Sequence, residues 1–323
     1  MAGEYPMSTK RSYSGIIKRI MSGRCPSLNL YRSRLIQSGA QEDNAVSITW
    51  LGTAGVLVSD GLTGILIDPY VSRFGFFKIA MGLPLQPDKT LVKRWMMRLE
   101  KVCVGIVAVS HSHFDHCLDA PYFAVESGAF LMGSESTLNA GRGASLAEDR
   151  LKAVKIDQAI TVGAFNLQFI ESRHGPAFLG RVPYPGIIDK PLVPPRTARD
   201  YKLGQTYAIL ISHPAGTILH HGSAGFVSGM YEGITADVVL LGIVGRGDTE
   251  TYLKNIPIKL EAKLVIPIHF DNFFVPLEKG LRILTTANFR EFCAVADRHR
   301  DIFELKTLSL GEKTAIFPTK IAL

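Results

Sequence analysis

The sequence predicts an α/β fold, on three observations. Apolar runs of strand length, such as Val102–Val109 and Leu264–Ile268, lack the polar alternation of a half-exposed strand and read as strands covered on both faces. Helical stretches alternate with such runs through two successive halves of the chain. In both halves, histidine or aspartate stands where an apolar run stops.

Composition bounds the rest. A chain of 323 residues, 46% hydrophobic and 20% charged, can bury a substantial core. Lysine and arginine outnumber the acids 36 to 29, for a net charge of +7. That balance favours anionic substrates or surfaces, but it is mild for a dedicated nucleic-acid binder, so nucleic acid is disfavoured as a partner. Residues 1–44 supply +4 of the excess and are rich in Ser, Arg and Gly. We expect them to form a partly ordered basic extension, with one short amphipathic candidate at Ser14–Met21, ahead of a folded domain over 45–323. The alternative for the arm is contact with phosphate or lipid headgroups at a membrane surface. Cys25, Cys103, Cys117 and Cys293 show no paired spacing and read as free thiols of a reducing compartment. With no run of signal-peptide or membrane-spanning character, a cytoplasmic location is expected. Nothing in the sequence fixes an oligomeric state.

Taken in order, the domain opens with a strand at Val46–Leu51 and a turn at Gly52–Gly55. Strands at Val56–Ser59 and Ile65–Ile67 follow, paired across the Asp60-Gly61 turn signal. Residues 70–100 mix Phe74, Phe76, Phe77, Met81 and Trp95 with Lys78, Lys89, Lys93, Arg94 and Arg98, and Leu91–Glu100 is expected to be helical. This segment is either an insertion packing its aromatics on the core or a hydrophobic, cation-rimmed lid. After Val102–Val109 come a helix at Ala120–Val125, a strand at Phe130–Gly133, a helix at Glu135–Ala140 and a turn at Gly141–Gly143. Strands over 160–170 lead to His174. Pro176–Pro195 is too long for a neutral connector and is expected to wall a cleft. Thr206–Ile211 and Gly216–His221 read as a hairpin with His213 exposed in its turn. A strand at Ala236–Leu241, a helix from Thr249, the strand Leu264–Ile268, a helix at Thr286–His299 and a closing strand or hairpin over Leu305–Phe317 complete the chain.

The chemistry concentrates in Ser110-His111-Ser112-His113-Phe114-Asp115-His116, which places three imidazoles and a carboxylate within six residues. In an extended segment, spacing of two puts His111, His113 and Asp115 on one side, and His116 closes on the same point as the chain turns. Neutral imidazoles with one carboxylate suit a borderline-soft divalent ion, Zn2+ first, with Mn2+ or Fe2+ as alternatives. The competing reading is a histidine cluster exposed at a strand end.

His-x-His-x-Asp-His after a buried strand resembles the signature of the metallo-β-lactamase superfamily. Asp68 in Ile67-Asp68-Pro69, His174 in Arg173-His174-Gly175 and His269 in Ile268-His269-Phe270 match further landmarks in order, so the resemblance covers about residues 46–275. It implies the four-layer αβ/βα sandwich with its site along one edge between two sheets. It also implies one metal at His111, His113 and His174 and a second at Asp115, His116 and His269. Asp115, with His116 beside it, would orient or deprotonate a metal-activated water, and Asp68 would support the site from behind. Two landmarks depart. Thr53 stands where a histidine often follows Gly52. His221-Gly222-Ser223 aligns with a motif that normally carries a metal-bridging aspartate in place of Ser223. With a neutral serine there, one or two ions of very unequal affinity are expected, and Asp271, two residues past His269, is a candidate replacement carboxylate. The pattern is most similar to the branch of the ascorbate-phosphate lactonases and the N-acyl-phosphatidylethanolamine phospholipase D enzymes. That similarity implies hydrolysis of a small or lipid-like anionic ester, lactone or phosphodiester. A nucleic-acid-processing nuclease and a non-catalytic metal-binding scaffold are the alternatives.

Overall fold

Alternate residues of the early strands go to different cores, and that division builds the layers. The computed structural model describes residues 26–36, 45–99, 102–156, 158–177 and 180–317. Its first sheet contains β1 (Val46–Gly52), β2 (Gly55–Ser59), β3 (Thr63–Ile67), β4 (Cys103–Ala108), β5 (Phe130–Gly133) and β6 (Leu151–Ala153) in that spatial order. Val56, Val58, Ile65, Ile67, Ile106 and Ala108 face one core. Leu57, Leu66, Val104 and Val107 face the other; the alternation is period two except at a bulge in β4, across which Val104 and Ile106 face different cores. The outer core is closed by α2 (Lys89–Arg98), α4 (Ala120–Ser127) and α5 (Glu135–Gly143). The inner core is shared with the second sheet.

That second sheet contains β7 (Ile160–Val162), β8 (Phe165–Glu171), β10 (Tyr207–His213), β11 (Gly216–His221), β13 (Val238–Gly242), β14 (Leu264–Ile268) and β15 (Glu304–Leu305). Its outer side carries α6 (Thr249–Leu253) and α7 (Phe289–Ala296), giving the αβ/βα sandwich. The short β9 (Arg173–His174) and β12 (Ala224–Gly225) pair with each other, while β16 (Lys313–Phe317) returns to lie antiparallel to β1. Both sheets have seven strands, and in both the pairing is antiparallel across one half and parallel across the other. The change falls at β3 in the first sheet and at β11 in the second. Asp68 follows β3, and Gly222 and Ser223 follow β11, so the two switch points carry the supporting groups of the site. They face each other closely: a Cβ placed on Gly222 would lie 3.2 Å from Asp68 Oδ2.

Several expectations change in detail. Gly141–Gly143 is the last turn of α5 rather than a loop. A Cβ on Gly143 would meet the Leu192 carbonyl at 1.9 Å, so the glycine is there for close approach to the Pro-rich segment. Leu305 and Phe317 do not share a hairpin; β15 extends the second sheet and β16 the first. His213 ends β10, half-buried, with its ring 3.7 Å from the Asp60 carboxylate. Residues 26–36 dock on the domain through Ile283 N–H to the Pro26 carbonyl (2.8 Å), Ile36 N–H to the Thr307 carbonyl (3.0 Å) and Arg34 on Asp297 (2.6 Å). Ser14–Met21 and Cys25 lie outside the described residues.

The segment 70–100 is neither all core nor all lid. Trp95, 3% exposed, packs under the first sheet from α2, whose first turn is capped by the Asp88 carboxylate accepting from Leu91 N–H at 2.9 Å. Phe76 of α1 (Phe76–Ala80) meets Phe274 edge-on at 5.3 Å, while its neighbour Phe77 is 63% exposed. The Pro-rich segment joins this region through paired backbone hydrogen bonds between Leu85 and Arg196. Among the described residues no helix is long and apolar enough to cross a membrane.

Candidate metal centre

The residues Ser110–Cys117 leave β4 and do not stay extended. His113 keeps β-region angles (φ −60°, ψ 153°), and Phe114–Cys117 then forms a single helical turn, α3. The spacing-of-two argument therefore holds for His111 and His113 and fails at Asp115, because helical geometry takes over one residue earlier. This turn divides the motif. His111, His113 and His174 form one triad, and Asp115, His116 and His269 form another; within each, the candidate ligand atoms lie within 4.8 Å of one another. Asp115 Oδ2 and His269 Nε2 are 3.3 Å apart. A tetrahedral ion with bonds of about 2.0–2.1 Å spaces its ligands by about 3.3 Å, so the separation fits a shared ion.

The rings are oriented by what holds their other nitrogens. His113 Nε2–H donates to the Pro183 carbonyl at 2.8 Å, and His174 Nδ1–H donates to the Gly175 carbonyl at 2.6 Å. A carbonyl only accepts, so each neutral ring has its lone pair on the remaining nitrogen. His111 Nδ1 is 3.1 Å from Ser110 Oγ, and Ser110 Oγ–H donates to Asp68 Oδ2 at 2.5 Å. His116 Nδ1 sits 2.8 Å from the same Asp68 oxygen. Among the described residues His111 Nε2, His116 Nε2 and His269 Nδ1 are buried with no hydrogen-bond partner, as are His220 Nδ1 and His221 Nε2 outside the triads. Orphaned nitrogens in a donor set of five histidines and one carboxylate fit a divalent transition metal.

Electrostatics separates the triads. Burial, with the neighbouring histidines, pushes His111 well below its ordinary value. Burial lowers His113 to about 4 and His174 to about 3, so these rings are neutral at pH 7. Burial also disfavours the charged form of His116, but Asp68 and Asp115 outweigh it and raise that ring. Burial alone would raise Asp115 and Asp68; the adjacent histidines reverse this and hold both carboxyls below the usual range.

The remaining candidates lie around the triads. Asp68, fully buried in a left-handed conformation (φ 45°), also accepts Ser110 N–H at 2.7 Å. Ser223 belongs to neither triad: its hydroxyl donates to the Arg173 carbonyl (3.1 Å) and its own carbonyl accepts Gly175 N–H (2.8 Å), which fastens the strand bearing His174. His221 is buried behind the centre, Nδ1 2.6 Å from the Tyr231 hydroxyl. Asp271 does not replace the missing carboxylate. It is turned away into a buried ion pair with Arg73 and accepts Thr53 N–H at 2.9 Å. Cys117 is buried, and burial pushes its thiol up, away from ligation. Sequence reasoning missed Asp119, whose Oδ2 accepts the N–H groups of Val71 and Ser72 at 2.7 Å each. It also missed the Pro183 and Gly175 carbonyls, for which side-chain identity carries no signal. Tyr184, left-handed at φ 43°, places its ring edge-on to His113 at 6.2 Å and forms part of the expected wall.

This constellation at the edge of a two-sheet sandwich is that of the metallo-β-lactamase superfamily, and a family comparison agrees. The Beta-lactamase superfamily domain matches residues 47–269, and the chain belongs to that family. Its relatives include a UPF0173 metal-dependent hydrolase from Roseiflexus sp. (strain RS-1), 22% identical over 262 residues, 80% of this chain and 94% of that protein. A UPF0173 metal-dependent hydrolase from Pyrobaculum islandicum is 24% identical over 71% of this chain and 85% of its own length. Among solved structures, the metallo hydrolase Igni18 from Ignicoccus hospitalis superposes with a TM-score of 0.53 at 18% identity, covering 84% of this chain and 97% of that one. The isothiocyanate hydrolase from Delia radicum gut bacteria gives 0.53 at 16% identity, covering 84% and 99%. At such identities the structural likeness establishes the fold.

Proposed function

We propose that this protein is a metal-dependent hydrolase whose two triads hold one or two divalent ions, zinc first, and act on an anionic ester, lactone or phosphodiester. The observation that carries the reading is the pairing of the triads: six candidate ligands from both halves of the fold, with His111, His113, His116 and His174 each presenting one nitrogen because the other is hydrogen-bonded. The two triads would hold such an ion, which when bound would supply an acidified water, with a pKa toward ~7, and Lewis-acid polarisation of a carbonyl or phosphoryl oxygen. Asp115, held ionised by the adjacent histidines, would accept a hydrogen bond from an attacking water and orient it. Asp68 keeps the His116 ring in place and supplies charge compensation behind it. Tyr184 and the Pro-rich wall exclude bulk water from the His113 side. The nitrogen-rich donor set supports zinc over magnesium or calcium. The net positive charge supports an anionic substrate. Exposed Phe77, Met81 and Leu83 beside Lys78 support a lipid-like tail on that substrate, or contact with a lipid surface.

Purified wild type is expected to carry zinc or a comparable ion by elemental analysis and to hydrolyse at least one of a panel of chromogenic phosphodiesters, esters and lactones. His113→Ala is expected to lose much of the metal and all of the turnover. A metal-free yet active wild type would overturn the proposal.

A further inference from the structure

The segment after Asp68 contains an arginine whose burial is unusual. Arg73 and Asp271 have side chains 2% and 1% exposed and form a direct ion pair. Burying such a pair carries a desolvation cost for each ion, and apolar replacements are often equally stable, so overall stability is a poor reason for its presence. Its contacts point elsewhere. Asp271 Oδ1 accepts Thr53 N–H at 2.9 Å, and Arg73 reaches the Thr53 hydroxyl (3.4 Å) and the Asn272 carbonyl (3.3 Å). The Thr53 carbonyl accepts the backbone N–H of the candidate ligand His269 at 2.7 Å. Thr53 and His269 both adopt left-handed angles (φ 51° and 52°), conformations that a β-branched threonine holds only when its surroundings enforce them. In the other direction, Val71 and Ser72 are fixed by Asp119, three residues past His116. A continuous path thus runs from the helical turn of Asp115 and His116 through Asp119, residues 71–73, Asp271 and Thr53 to His269. It joins the two sheets and ends on the Asp115/His116/His269 triad, whereas the rings of His113 and His174 are oriented by the Pro183 and Gly175 carbonyls.

We propose that the Arg73–Asp271 pair is a positioning device for the Asp115/His116/His269 half of the centre, setting His269 against the ligands of the opposite sheet. The inference rests on the metal reading above. Its test is zinc affinity, measured by competition with a chromogenic chelator, in two backgrounds. His113→Ala leaves only the Asp115 half intact, and His269→Ala leaves only the histidine half. Asp271→Asn is expected to weaken zinc tenfold or more in the first background and to leave the second unchanged. Unchanged affinity in the first background, or equal losses in both, would overturn the positioning role. If Asp271→Asn does not fold, the Arg73→Met/Asp271→Leu replacement, which leaves no unpaired charge, is titrated in its place and judged by the same selectivity. Wild type that takes up no zinc would sink the metal reading itself, a result distinct from zinc uptake indifferent to Asp271.

Discussion

The two triads meet at one edge of the sandwich, yet they are held by different means. His113 and His174 are steered by backbone carbonyls, His111 by a serine hydroxyl, and the three rings are neutral. Asp115, His116 and His269 rely on carboxylates: Asp68 behind His116, Asp115 within the set, and Asp271 at one remove. A carbonyl orients a ring without adding charge, and few substitutions can remove it. A carboxylate also attracts a dication, but it raises the proton affinity of its histidine, and a single mutation deletes it. The first half is therefore robust and electrostatically plain, the second responsive and vulnerable.

Removing Asp68 should expose this contrast most strongly. Asp68→Ala frees the His116 ring and strands Ser110, so zinc affinity of the Asp115 half is expected to fall 10–100-fold. The histidine half, connected to Asp68 only through Ser110 and His111, should lose much less. Equal losses on zinc titration would erase the distinction. Acidity should separate the halves next. His116, raised above its ordinary 6.5, must surrender a proton to bind metal near neutrality, so the Asp115 half should gain up to about tenfold in affinity per pH unit through that range. His113 and His174, near 4 and 3, are already deprotonated there, so the other half should stay flat above about pH 5 and weaken only as protons reach those rings. Parallel pH profiles for the two ions would contradict the assignment. The smallest effect should come from Ser223→Asp. A carboxylate there would offset repulsion between two ions about 3.5–4 Å apart and raise the weaker occupancy toward a second equivalent under limiting zinc. Wild type titrating as two equally tight sites, unaltered by the substitution, would end the idea of unequal affinities.

What could be read from the sequence was what side-chain identity and spacing encode. The buried strands are legible because their apolar runs admit no wet face, and each of the six candidate ligands stands just past such a run or on a short strand. The helical turn at Phe114 is not legible, since one turn leaves no periodicity to detect. The Arg73–Asp271 pair spans 198 residues and follows no local rule. Gly141–Gly143 looks like a loop by composition, and only the approach of Leu192 explains why glycine continues the helix. In residues 70–100, similar aromatics have opposite fates because α2 packs Trp95 into the outer core, whereas α1 buries only Ile79, in the core shared with the second sheet, and leaves Phe77 exposed.

The one-turn helix at Phe114–Cys117 has a further consequence, in rotational phase. Each residue advances the chain about 100° around a helix axis, so Asp115 and His116 converge with His269 only because a fixed count follows His113. Phe114 occupies the intervening direction and buries its ring against Tyr70 and Phe273. Exchanging Phe114 for another apolar residue changes packing; inserting one residue beside it turns both ligands through more than a quarter of a circle. The motif is thus a clock setting as much as a set of letters, tolerant of spelling at its silent positions and intolerant of any change in length.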